Sequence, residues 1–139
     1  MSLETEVRTP YEIIEQEKEA YLEALPEPDP DWPPDVRIIY ETLQDRLFEL
    51  GLRAQDVVED CGIGDHNIYT RFHHFTGHGI KELALVHRLR LAKRLLEWED
   101  VPIGRIALSV GYENPSGFSE TFRRHEGCPP SAFRDFEEE

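Results

Sequence analysis

The sequence predicts an all-α fold: two helix-turn-helix subdomains joined by a long connecting helix, preceded by an acidic N-terminal extension. Three observations lead there. Apolar residues recur at helical spacing along most of the chain, and no stretch alternates with period two for long enough to make a sheet. The block from Val57 to Gly77 also occurs a second time, one residue longer, from Ile106 to Gly127.

The 139 residues suit one compact domain with a tail and exclude two large ones. No apolar run approaches the roughly 18 residues of a membrane span, and "MSLETEVRTP" lacks the basic-then-apolar layout of a signal peptide. A cytoplasmic chain without a membrane partner is expected. Cys61 and Cys128 stand apart with no CxxC spacing, which argues against a disulfide framework or a thiolate zinc site and for buried, reduced thiols. The formal net charge of -14 is concentrated at the ends. Residues 1 to 35 hold eleven acids against Arg8 and Lys18 (-9), residues 36 to 136 hold fifteen acids against thirteen bases (-2), and Glu137, Glu138 and Glu139 close the chain (-3).

In chain order, "PYEIIEQEKEAYLEAL" places Ile14, Tyr21, Leu22 and Leu25 near helical spacing, predicting a short amphipathic helix. "PEPDPDWPPD" follows, and its five prolines in ten residues read as a stiff, extended linker. The extension is therefore taken as residues 1 to 35 and the domain as residues 36 to 136. "DVRIIYETLQDRLFEL" is helical, with Ile38, Ile39, Leu43, Leu47 and Leu50 apolar. A first helix-turn-helix spans about 54 to 77, the connecting helix about 79 to 98 and a second helix-turn-helix about 103 to 127. The apolar positions of "GIKELALVHRLRLAKRLLEWED" spread too widely around the axis for one stripe, so this helix is expected to be buried on more than one side.

Superposing the repeats sets Gly62 on Gly111, Ile68 on Phe118, Phe72 on Phe122 and Gly77 on Gly127. In each second helix the apolar pair lies one turn apart and must face inward. Asn114 followed by Pro115 is a cap with proline at the first helical position, and Gly127 is a stop. In the first copy Gly64 is read as the cap, with Asp65 at the positive end of the dipole. A connecting helix of about 20 residues is roughly 30 Å long, close to the ~34 Å between successive major grooves on one face of DNA.

The stretch "PIGRIALSVGYENPSGFSETFRRHEGCPPSAFR", together with "HRLRLAKRLL" and the segment from Gly62 to Gly77, resembles the DNA-binding domain of the AraC family of bacterial transcription regulators. The resemblance covers residues 36 to 136 and implies sequence-specific binding of double-stranded DNA, usually to activate transcription through contact with RNA polymerase. Carried over position by position, it implies base contacts from His66, Tyr69, Thr70 and His73 in the first reading helix and from Ser116, Ser119, Glu120 and Arg123 in the second. Arg71, His74 and Arg124 flank those faces, as phosphate contacts. Glu120 and Thr70 stand where family members often carry arginine, and Glu126 where an aromatic is expected. Val58 takes a place often held by alanine, so the first unit is expected to pack less closely. Members commonly add a ligand-sensing domain, for which 35 acidic, proline-rich residues are too few. No effector pocket and no cofactor are expected. Tandem units let a monomer bind an asymmetric site, although the N-terminal helix offers a way to dimerise.

The histidines of "HNIYTRFHHFTGH" invite a metal reading, since His74 and His78 are four apart. Gly77 interrupts the helix between them and no third ligand is evident, so contact with phosphates or bases, strengthened between pH 8 and 6, is the better reading. Phe72, Phe118 and Phe122 match the buried stripe rather than a stacking platform. "HRLRLAKR" suits a phosphate-facing stripe or an intramolecular partner for acids equally well. Ser116 and Ser119 lack a paired base or glycine elbow, and no catalytic constellation is present. Charge is the objection to DNA binding, since a binder must neutralise phosphates with Lys and Arg. Two readings answer it: the acidic tail folds over the reading faces and competes with DNA, or the scaffold is a protein-interaction module that modulates another regulator or RNA polymerase.

Overall fold

The computed structural model describes residues 8 to 137, so the acids Glu4, Glu6, Glu138 and Glu139 lie outside the described residues. Within them the chain forms α1 (Pro10–Glu23), α2 (Pro34–Asp45), α3 (Ala54–Asp60), α4 (Ile68–Thr76), α5 (Ile80–Leu96), α6 (Ile103–Ser109), α7 (Pro115–Glu126) and α8 (Pro130–Glu137), and no strand. None of these helices is long and apolar enough to cross a membrane.

The repeat is structural as well as sequential. α3 and α6 are both seven residues long, and each runs into a turn whose glycine has positive φ, 72° at Gly62 and 108° at Gly111. The turn bonds correspond: the Ile63 amide donates to the Val58 carbonyl (3.4 Å) as the Tyr112 amide does to Ala107 (2.9 Å). The longer first bond stands at the position where valine replaces a smaller residue. Ile68, Phe72, Phe118 and Phe122 are all fully buried. Left-handed Gly77 and Gly127 end α4 and α7, each with its amide bonded to the carbonyl four residues back.

The two units have separate cores that meet on α5. Val36, Ile39, Leu43, Leu47, Val57, Ile68 and Phe72 pack with Ile80 and Leu83 from the first turns of α5. Leu91, Ala92, Leu95 and Leu96 from its later turns pack with Ile106, Ala107, Val110, Phe118 and Phe122. One 17-residue helix thus carries both cores, which is why its apolar positions encircle it. Arg134 of α8 closes its C-terminal end by donating to the carbonyls of Leu96, Trp98 and Val101.

The units are joined at Arg88, which is buried in the middle of α5. Its Nε donates to the Leu47 carbonyl (2.8 Å) and its Nη2 to that of Glu49 (3.0 Å), while the Gly51 amide bonds to the Gly111 carbonyl (3.0 Å). Gly111 leaves space for the guanidinium: a Cβ there would lie 2.7 Å from Arg88 Cζ and 3.0 Å from the Glu49 carbonyl oxygen. A Cβ at Gly62, whose φ is also positive, meets nothing within 4 Å. Gly62→Ala is therefore expected to cost about 1 to 2 kcal/mol from backbone strain alone. Gly111→Ala should cost at least ~1 kcal/mol more, because the guanidinium must move. Equal losses in urea melts of the two variants would contradict this account of the junction.

The acidic N-terminal segment is folded onto α5. The Thr9 side chain accepts from the Glu12 amide and Glu12 accepts from the Thr9 amide, which starts α1. Ile13, Ile14 and Tyr21 join the core of the second unit, whereas Leu22, expected on the same face, is exposed. Glu17 accepts from Arg94 (2.8 Å) and from the Trp98 indole N–H (3.0 Å). These contacts put α1 against α5, and removal of residues 1 to 35 would strip three side chains from a core. The basic run of α5 is largely engaged within the molecule: Arg88 by carbonyls, Lys93 by Glu126 and Arg94 by Glu17. Cys61 and Cys128 are half-buried rather than buried.

Tyr21 and His87 make a further polar contact inside this packing, with the hydroxyl 2.6 Å from Nδ1. Burial, and then the positive charges of Arg90 and His78, pushes the His87 pKa down from 6.5 to about 4. The neutral ring accepts from the hydroxyl, which burial keeps protonated. Because the folded pKa lies below the unfolded one, the unfolded chain takes up the proton more readily. Stability from this group is complete above pH 6.5 and is lost as pH falls toward 4. The loss is expected to reach roughly 3 kcal/mol. His87→Gln should flatten that part of the stability profile, and an unchanged slope between pH 6.5 and 4.5 would refute the assignment.

Candidate nucleic-acid interface

The second helices of the two units differ at their starts. α7 begins at Pro115, where the Asn114 side chain accepts from the Gly117 amide (2.6 Å). By the repeat, α4 should begin at residue 65; it begins at Ile68, with Asn67 at the cap. Gly64 has no side chain to accept from an exposed amide, so the Gly64 cap expected from the sequence does not form. Instead Asp65 accepts from the Asn67 amide (2.9 Å) and the segment before Ile68 is a turn. His66 consequently lies in that turn, exposed, rather than on the helix.

Each helix presents the expected side chains outward. On α4, Tyr69, Thr70, His73 and His74 are exposed, and on α7 Ser116, Glu120, Arg123 and Arg124 are exposed with Ser119 half-buried between them. The outward positions of α7 (116, 119, 120 and 123) share one helix face. Tyr69 from α4 and Arg124 and His125 from α7 line one open groove that crosses the first turn of α5 at Lys81, so both helices border the same side of the molecule.

Arg71 is placed differently. Its guanidinium is held by both carboxylate oxygens of Asp35 (2.6 and 3.0 Å) and by Asp65 (3.2 Å). That contact holds the Asp35 carboxyl below its usual range. It ties α4 to the start of α2 and cancels the arginine's charge. α4 is left with histidines, and α7 carries Arg123, Arg124 and His125, for which no acidic partner occurs among the described residues. Glu126 is paired with Lys93 of α5 (3.3 Å).

Sequence reasoning missed Lys81 and His125 in this groove and Asp35 as the tether of Arg71. Lys81 and His125 were legible in hindsight, being one residue past the start of α5 and two past Arg123. Asp35 was not, since it is 36 residues from its partner. Among the described residues no group of three His, Cys, Asp or Glu side chains is arranged to hold a metal ion. His78 instead lies 3.7 Å from Glu82.

A family model described as a helix-turn-helix domain matches residues 57 to 135. The chain is 32% identical over 83 residues to the Msm operon regulatory protein of Streptococcus mutans, covering 60% of this chain and 30% of that protein. It is 32% identical over 79 residues to a putative AraC-like transcription regulator of Streptomyces lividans, covering 57% of this chain and 26% of that one. It therefore spans under a third of the length of these relatives. Its fold is similar to the DNA-binding domain of the global transcriptional factor AdpA, solved with a target DNA, at a TM-score of 0.62 and 23% identity over 70% of this chain and 90% of that one.

Proposed function

Given that this chain belongs to the AraC-type helix-turn-helix family, we propose that it binds double-stranded DNA in a sequence-specific manner and regulates transcription, with α4 and α7 reading successive major grooves. The observation that carries this is the pair of corresponding helices whose outer residues border one groove on one side of the molecule. The relatives are regulators by name, and the AdpA domain was solved on its target DNA, which supports the same use of the fold here.

Base reading is assigned to His66, Tyr69, Thr70 and His73 in the first unit and to Ser116, Ser119, Glu120 and Arg123 in the second. His74 and Arg124 take phosphate contacts. Arg71 is reassigned from phosphate contact to positioning of α4, on the strength of its ion pairs with Asp35 and Asp65. Glu120 suits a cytosine N4 donor and excludes phosphate from its own position. Activation through RNA polymerase, from the family resemblance, action as a monomer, from the tandem units, and a cytoplasmic location are part of the proposal.

A second reading, a module that binds another regulator or polymerase without touching DNA, is favoured by the net charge of -14 and by an acid, Glu120, on the exposed face of α7. Selection from random duplex DNA with the full chain at two salt concentrations separates the two. An enriched asymmetric motif with two blocks about one helical turn apart is expected. No enrichment from protein shown to be folded would favour the second reading.

A further inference from the structure

Beneath the groove between the reading helices lies a cavity of about 450 Å³, framed by the first unit, α5 and the second unit together. That size is within the range of small-molecule sites. Leu43, Leu52, Ile80 and Leu85 make much of its wall. Its charged lining is of one sign: Arg53, Lys81, Arg88 and Arg124, with no acid, in a chain that carries 29 acids and 15 bases. Arg53 already has a partner in Asp56 (3.1 Å).

Arg88 gives the cavity its chemistry. It is only 8% exposed, and it meets two carbonyls through Nε and Nη2 and the Tyr112 ring, whose centroid is 5.7 Å from Cζ, with no carboxylate paired to it among the described residues. Burial lowers its pKa, against the opposing influence of Tyr112 and Glu49. A buried charge without a counter-ion is costly, and an anion delivered into the cavity removes that cost. The backbone of a duplex is a poor candidate for that anion, because Arg88 is only 8% exposed and shares the cavity with Leu43, Leu52 and Leu85. A small molecule with an apolar body and a single carboxylate matches both the wall and the charge.

We propose that this cavity is a binding site for an amphipathic carboxylate, its ring or chain against Leu43, Leu52 and Leu85 and its carboxylate toward Arg88 and Lys81. The sequence offered no effector pocket because the lining is drawn from residues 43 to 124 and is assembled only when the two units dock. The site shares Lys81 and Arg124 with the groove above it, so its occupancy is tested without DNA.

Calorimetric titration of the full chain, without DNA, with 2-naphthoate and with its neutral isostere 2-naphthamide tests it. The expected result is saturable binding of one naphthoate per chain, at least tenfold tighter than the amide, weakened several-fold by Lys81→Gln and abolished by Leu85→Trp, which fills the cavity. Substitution of Arg88 itself is avoided because it joins the two units. Absence of naphthoate binding, equal affinity for the amide, or undiminished binding by Leu85→Trp shown to be folded would each overturn the inference. So would a Lys81→Gln variant that loses affinity for non-specific duplex DNA while the wild-type chain ignores naphthoate, since the cations would then serve phosphates.

Discussion

Phe122→Ala is expected to lower the stability of the chain by about 3 to 5 kcal/mol, and Phe72→Ala by a similar amount. Both rings are fully buried at corresponding positions, but in different cores. Phe122 lies between Phe118 and Phe133, with ring centroids 5.8 and 5.5 Å away, so its removal leaves a cavity that neighbouring rings cannot close without leaving their own contacts. Trp32 packs against the first core and Trp98 against the second, so single-tryptophan variants report on each unit separately. Because α5 and the Arg88 junction belong to both, one transition is expected at both reporters, displaced together by either substitution. A Phe122→Ala chain in which Trp98 melts while Trp32 keeps the wild-type midpoint would show that the junction does not couple the units.

Arg123→Ala is expected to weaken binding to the selected DNA site by roughly 1 to 3 kcal/mol, about 5- to 150-fold, and to relax preference at one base position. Arg123 is exposed on the outer face of α7, and no carboxylate among the described residues competes for it. Arg124→Ala should instead weaken all duplexes alike and reduce the salt slope by about one. Arg71→Ala makes a useful contrast. Its charge is already cancelled by Asp35 and Asp65, so it should cost stability and leave the salt slope nearly unchanged. If Arg123→Ala retained the full sequence preference, the assignment of α7 as the second reading helix would fail.

The repeat, the inward phenylalanines, the glycine turns and the Asn114 cap were legible because each is a local consequence of residue type. A left-handed turn selects glycine, and a helix start selects a side-chain acceptor. The late start of α4 is the exception that follows the same rule, since glycine at position 64 supplies no acceptor and Asp65 acts from one residue later. The helix around Ile14 and Tyr21 was legible from its spacing, whereas its docking, with Ile13, Ile14 and Tyr21 buried and Glu17 paired to Arg94, was not.

Helical periodicity, turn chemistry and the duplicated layout thus specify two helix-turn-helix units and a long helix between them, since each depends on neighbours within about one turn of the chain. The docking of α1 on α5, the capture of Arg71 by Asp35, the burial of Arg88 and the cavity beside it arise from partners tens of residues apart. The energies that choose such partners are packing and desolvation, which act between surfaces brought together by the whole fold and leave no period or spacing in the sequence to be read.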